Sequence, residues 1–153
     1  MKKMILAFCV LTMLMSGCSE NKKYERDTSP GTLQQATLEE VYEKFANEED
    51  FVLLISFSYC SHCLDLKAIL EPYLNDHHVI VYELVMDKLA PTRAEYYKAS
   101  AELNKYLEDY SGTPSFYYIE KGKKKEEIIG FGEDSTIDMY DDIITKYRLD
   151  AKK

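Results

Sequence analysis

The chain has 153 residues, of which 46% are hydrophobic and 30% charged, and a formal net charge of −8. That length suits one domain of ordinary size with a short appendage, and the apolar content suffices for a core. The negative charge argues against nucleic acid as a partner, because phosphates would be repelled.

Lys2 and Lys3 precede an apolar run over residues 4–15. The run fits the hydrophobic region of a signal peptide and is too short to span a bilayer as a helix. Ser16, Gly17 and Cys18 follow. Small residues before a cysteine resemble the lipobox of bacterial lipoproteins, with Met15 where that motif usually has Leu. In lipoproteins the chain is cut before the cysteine and its thiol carries lipid. The resemblance implies a leader over residues 1–17, lipid on Cys18, and a protein anchored outside the cytoplasm at the cell membrane. An ordinary secretory signal is the alternative, and it too takes the chain out of the cytoplasm. Losing Lys2 and Lys3, one positive charge each, would deepen the net charge to −10. Cys9 goes with the leader and Cys18 with the lipid. Cys60 and Cys63 then remain as the free thiols.

Residues 19–31 are polar and nearly free of aliphatic side chains, which predicts a flexible tether. The tether with its lipidated cysteine is placed at 18–32, and one domain at 33–150. Thr37 and Glu40 form a capping box that opens a helix, with Leu38, Val41, Tyr42 and Phe45 at helical spacing. Residues 51–57 are apolar without alternation, which predicts a strand buried on both faces. It ends at Tyr59-Cys60-Ser61-His62-Cys63, where a second helix begins. Pro72 lies inside that helix and is expected to kink it. His77 and His78 fall in the turn before a strand over 79–84, and both read as solvated.

A loop over 86–92 leads to a second capping box, Thr92 with Glu95, and a helix reaching about Tyr110. Ser111-Gly112-Thr113-Pro114 breaks it. Strands over 115–119 and 126–131 read as a hairpin joined by residues 121–125. Its lysines read as a solvated tip. Ser135 is expected to cap a last helix carrying Ile137, Tyr140, Ile143, Ile144 and Tyr147. The order α-β-α-β-α-β-β-α predicts a mixed α/β sheet with a C-terminal antiparallel hairpin and helices on both faces.

Two thiols one helical turn apart share a face and can close or resolve a disulfide. At a helix start, free N–H groups and the macrodipole favour thiolate at Cys60. A permanent structural disulfide is one alternative, though a two-residue loop gains little from closure. A metal site with His62, His77 or His78 is another, though zinc sites want four ligands at characteristic spacings. Tyr96, Tyr97, Tyr106 and Tyr110 read as packing residues with hydroxyls at the rim.

The element order, the Cys60-Ser61-His62-Cys63 motif at a strand-to-helix junction, Thr113-Pro114 before the hairpin and Gly130 in its second strand resemble the thioredoxin superfamily. The narrower likeness is to small secreted thioredoxin-like proteins of Gram-positive bacteria, including bacteriocin transport accessory proteins. The resemblance implies a thiol–disulfide oxidoreductase that needs no metal or organic cofactor. Cys60 would attack and Cys63 resolve, with Ser61 and His62 tuning the potential. Tyr59, Thr113 and a cis Pro114 would receive substrate. Partners would be cysteine-containing exported proteins or peptides and a separate membrane electron-transfer protein. A docking lipoprotein that uses the fold without catalysis is the alternative. There are departures. Tyr59 replaces tryptophan, and Ser61-His62 replaces Gly-Pro. The superfamily's buried acid falls on Leu54, so the Cys63 proton is expected to leave to water. A histidine before the second cysteine also occurs in oxidising members, which points to a pair more oxidising than thioredoxin.

Overall fold

A computed structural model describes residues 24–152. The leader and Cys18 lie outside the described residues. Ten elements follow one another: β1 (Thr32–Gln35), α1 (Leu38–Ala46), β2 (Phe51–Ser56), α2 (Ser61–Leu74), β3 (Ile80–Val85), α3 (Met86–Leu89), α4 (Arg93–Leu107), β4 (Ser115–Glu120), β5 (Lys123–Ile129) and α5 (Ile137–Tyr147). One five-stranded sheet has the order β1-β3-β2-β4-β5. β1 and β2 each run parallel to β3, whereas β4 runs antiparallel to both β2 and β5.

β2 is central and buried at every position. Its alternate side chains point to opposite layers. Leu53 and Ile55 join Val41, Phe45, Leu84, Leu103 and Leu107 in the core under α1 and α4. Val52 and Leu54 join Leu66, Leu70, Val81, Tyr140 and Ile144 under α2 and α5. Phe45 stacks on Tyr106 with centroids 4.3 Å apart. Tyr106 and the buried Tyr110 thus belong to the core layer, while Tyr97 is exposed.

Both capping boxes form, at Thr37 with Glu40 and at Thr92 with Glu95. Thr136, not Ser135, is the N-cap of α5, and its side chain makes no capping bond. Ser135 instead accepts a hydrogen bond from the Gly132 N–H at 2.9 Å. The hairpin link is two residues rather than five. Lys121 and Gly122 both have positive φ, 51° and 68°, as the tight primed hairpin turn requires. Lys124 is not a solvated tip, since its ammonium reaches Asp109 and Glu127. Gly130 lies just past β5, and its N–H donates to the Pro114 carbonyl at 2.8 Å.

Two elements add to the expected order. α3 is a single turn in the expected loop. β1 is an edge strand of four residues, TLQQ, exposed at three positions. Such a strand has no hydrophobic alternation, and only backbone pairing to β3 defines it. Gly31 sets its entry. A Cβ there would stand 2.3 Å from the Val79 carbonyl oxygen, so only glycine admits this approach.

Residues 24–31 are docked rather than free. The Asp27 N–H donates to the Asp150 carbonyl at 2.6 Å, and the Lys152 N–H to that of Glu25 at 3.0 Å. Asp150 is 1% exposed and receives the Tyr24 hydroxyl and the Arg26 guanidinium, the latter at 2.7 Å. Arg26 also holds Asp141, which accepts from Tyr73 at 2.6 Å. His77 stacks on Tyr73 with centroids 3.8 Å apart, and His78 Nδ1 lies 3.1 Å from the Pro30 carbonyl oxygen. The histidines thus pack against this strap and its footing.

Arg26→Ala would leave the Asp150 carboxylate buried without its cation. The expected loss is about 2–3 kcal/mol, below that for a fully buried pair because the arginine side chain keeps 28% exposure. Denaturant unfolding checks this, and an unchanged midpoint would show the strap to be idle.

Candidate active site

β2 ends at Ser56, and the chain turns through Phe57, Ser58 and Tyr59 into α2. Phe57 packs toward Tyr96, centroids 5.5 Å apart, which directs the turn over the α4 layer. The Ser58 N–H donates to Asp87 Oδ1 at 2.7 Å. Burial would raise the Asp87 carboxyl, but the hydrogen bonds from Ser58 outweigh it and hold the group below the ordinary carboxylate range. α3 therefore has a use, since it brings Asp87 to the loop that precedes the cysteines.

Cys60 is the N-cap of α2, and its sulfur accepts the Cys63 N–H at 3.2 Å. Cys60 and Cys63 form a disulfide, with Cα atoms 5.1 Å apart. The two sulfurs differ in access. Cys60 is partly exposed, whereas Cys63 is 1% exposed and packs in the α2 layer. Tyr59 is 93% exposed, and Leu64 is exposed beside it on the first turn. Ser61 and His62 are also exposed.

The loop before β4 completes the site. The Thr113–Pro114 peptide bond is cis. The Thr113 carbonyl oxygen lies 3.7 Å from Cys60 Sγ, a packing contact because a disulfide sulfur has no hydrogen to donate. Ser115 Oγ donates to the Gly112 carbonyl at 2.6 Å and closes the loop. Asn104 clamps the upstream end, accepting from the Tyr110 N–H at 2.7 Å and donating to its carbonyl at 3.0 Å. The structure thus gathers Tyr59, Cys60, Cys63 and Thr113-Pro114 at the end of the sheet where β2 finishes and β4 begins. His77 and His78 lie before β3, away from it.

No protein-family model matches the sequence, and no curated protein is similar enough to count as a relative. Solved structures do match. Thioredoxin f from spinach chloroplast is 17% identical, covers 78% of this chain and 96% of its own, and superposes with a TM-score of 0.56. A Malassezia sympodialis thioredoxin is 13% identical, with 77% and 92% covered and a TM-score of 0.56. Thioredoxin from Aeropyrum pernix is 17% identical, with 80% and 90% covered and a TM-score of 0.51.

The fold is that of the thioredoxins.

The thioredoxin fold makes one departure sharper. Leu54 occupies the position where the resemblance implied a buried acid, and a buried carboxylate lies on the neighbouring strand instead. Glu83 on β3 is the register partner of Leu54 and is 2% exposed. Ser56 Oγ donates to its Oε1 at 2.5 Å, and Lys67 of α2 forms an ion pair with the same oxygen. Sequence reasoning passed over Glu83, Ser56 and Lys67. The available signal was a glutamate inside an apolar strand that the sheet buries.

Asp87→Ala would free the Ser58 N–H and loosen the turn before Cys60, at an expected 1–2 kcal/mol or so. The wild-type contribution has a depressed folded pKa. It is therefore present above the unfolded value, about 3.9, and is lost as pH falls through the lower folded value. Thermal melts of both proteins should differ most near neutral pH and draw together as pH falls below the ordinary carboxylate range.

Proposed function

We propose that the protein is a membrane-anchored, extracytoplasmic thiol–disulfide oxidoreductase acting on exported proteins or peptides that carry cysteines. The observation that carries this reading is the unequal disulfide, with one sulfur open at a helix N-terminus and the other sealed beneath it.

The inequality assigns the roles. Only Cys60 can meet a thiol or disulfide arriving from solvent. Once reduced, its sulfur keeps the Cys63 N–H and the positive end of α2, which favour thiolate. In the oxidising direction a substrate thiolate attacks Cys60 Sγ, Cys63 leaves as thiolate, and a second substrate thiol displaces Cys60, so the substrate gains a disulfide and the protein dithiol holds the two electrons; in the reverse direction Cys63, one turn away, resolves the mixed disulfide. Tyr59 and Leu64 supply exposed apolar surface for the substrate chain, and the backbone of Thr113 beside Pro114 supplies polar groups. His62 is exposed on the first turn, two residues after Cys60, and in this reading it is the group that favours the thiolate. Stabilising the reduced form makes the disulfide a stronger oxidant. Electrons then pass to a separate membrane partner, since Cys60 and Cys63 are the thiols left after removal of Cys9 and lipidation of Cys18.

The anchored, extracytoplasmic part rests on the basic, apolar and small-residue-cysteine pattern of residues 1–18. The strap supports it mechanically. The chain is docked from Tyr24, six residues beyond Cys18, so the anchor would hold the domain close to the membrane surface.

Equilibration of the domain with glutathione buffers should place the Cys60–Cys63 couple at roughly −200 to −120 mV, with His62→Ala moving it toward about −270 mV. A wild-type value near the latter would make this a reductase. Cys60→Ser should abolish disulfide exchange, and Cys63→Ser should trap substrates on Cys60. A cellular role that survives Cys60→Ser would favour the docking lipoprotein. Cys18→Ala should abolish palmitate labelling and release the protein from membranes, and unchanged membrane association would refute the anchor.

A further inference from the structure

The sheet ends in two edge strands, and the chain treats them differently. β5 opens on Lys123, Lys124 and Lys125, and its register with β4 shifts between Tyr118 and Ile119. Lysines and bulges keep foreign strands off an edge. β1 carries neither. Its residues, TLQQ, have no charge and no proline, and they pair with β3 in unbroken register. The N–H groups of Thr32 and Ala36 donate to the Val79 and Glu83 carbonyls, each at 2.9 Å. Backbone groups alternate in direction along a strand, so Leu33 and Gln35 turn theirs away from the sheet.

A groove flanks this edge on each face. On the α1 face, about 210 Å³ is lined by Gln34, Tyr82, Glu40, Glu43, Lys44 and Glu49. On the α2 face, about 300 Å³ is lined by Thr32, Leu33, Glu71, Leu74 and Asn75. The first groove sets three carboxylates against one ammonium, and Lys44 is already held by Glu49 at 2.9 Å and lies over the Tyr82 ring. The second holds one charge, that of Glu71. Hydrogen bonds from Thr37 to Glu40 and from Lys44 to Glu49 hold both carboxyls below the ordinary range, so both stay ionised at neutral pH.

We propose that the β1 edge docks an extended, basic segment of the substrate as an added strand. The docking rests on the edge itself, and its service to a substrate rests on the thiol–disulfide reading of the site. The incoming chain pairs its backbone with Leu33 and Gln35 and sends alternate side chains to opposite faces. One lysine or arginine then lies among Glu40, Glu43 and Glu49. The next side chain lies against Leu33 and Leu74, beside Glu71. An acidic peptide is repelled by these groups and by the net charge of −8. A second copy of this chain fits badly, because two such edges would bring their carboxylates together.

The edge also aims at the cysteines. β1 runs parallel to β3, which leads through Met86 to Asp87 at the turn before Cys60. Two strand spacings, about 10 Å, separate β1 from β2. A few further residues of extended chain bring a substrate cysteine to Cys60.

The test uses the full-length protein in non-ionic detergent and a fluorescein-labelled peptide of alternating lysine and valine, read by anisotropy. The controls are a glutamate–valine peptide and the lysine peptide with every backbone nitrogen methylated. The lysine peptide should bind at least roughly tenfold tighter than either control, and high salt should weaken it. Gln35→Pro removes an outward N–H without touching the β3 ladder, and should weaken binding roughly tenfold. Should that variant fail to fold, Glu43→Gln with Glu71→Gln keeps the edge, and should weaken binding several-fold and flatten the salt dependence. In exchange, the reduced protein meets the lysine peptide carrying a cysteine joined to a coloured aromatic thiol. Gln35→Pro should raise the half-saturating concentration and leave the limiting rate unchanged, as well as the rate with a free aromatic disulfide. Equal binding of the lysine and glutamate peptides, or unchanged binding in a folded variant, would overturn the proposal. So would a concentration-dependent dimer that Gln35→Pro abolishes, since the edge would then belong to a second copy. Lysine-peptide binding by a wild-type protein that releases no aromatic thiolate would support the docking and overturn the oxidoreductase reading.

Discussion

The structure depends on one strand that has no solvent face. β2 is buried along its whole length, so both of its layers must be covered by helices. Its neighbours are β3, parallel, and β4, antiparallel. A parallel neighbour needs a crossover, and α2 supplies it. The helix must therefore start close to the carboxyl end of β2, and the residue at that junction becomes its N-cap. Here that residue is Cys60. The reactive position is thus a by-product of burying β2.

The same geometry separates the two sulfurs. An N-cap residue lies at the rim, while a residue three positions later on the inner face points into the layer below. One cysteine can meet a partner and the other cannot. The turn that precedes them is held by Asp87 through Ser58, and the opposing loop by Asn104 and Ser115. Loops with fixed ends frame a short exposed apolar surface, Tyr59 and Leu64, on either side of the cysteines' helix start.

Among the described residues the two buried carboxylates are both paired. Asp150 is enclosed by Tyr24 and Arg26, and Glu83 by Ser56 and Lys67. The first pairing ties the chain's docked N-terminal segment to its C-terminal end. The second lies under the active-site helix. A charge in such a place is stable only with its partner, and that requirement makes Glu83 more than a sequence oddity.

Much of this was legible in the chain. Capping boxes at Thr37 and Thr92, the unbroken apolar run of β2 and the cysteines at its end are local signals. They act over three or four residues, and the physics that reads them is local too. The α/β class and the site at the strand-to-helix junction follow from them. The tertiary structure decided what depends on distant neighbours. β1 exists because β3 offers its backbone, and its own side chains announce nothing. Residues 24–31 look like a tether until Asp150, some 120 residues away in sequence, captures Tyr24 and Arg26. Position 54 looks as though it has lost an acid until β3 pairs alongside and sets Glu83 beside it. Burial, register and ion pairing are properties of two segments at once, and one segment read alone cannot carry them.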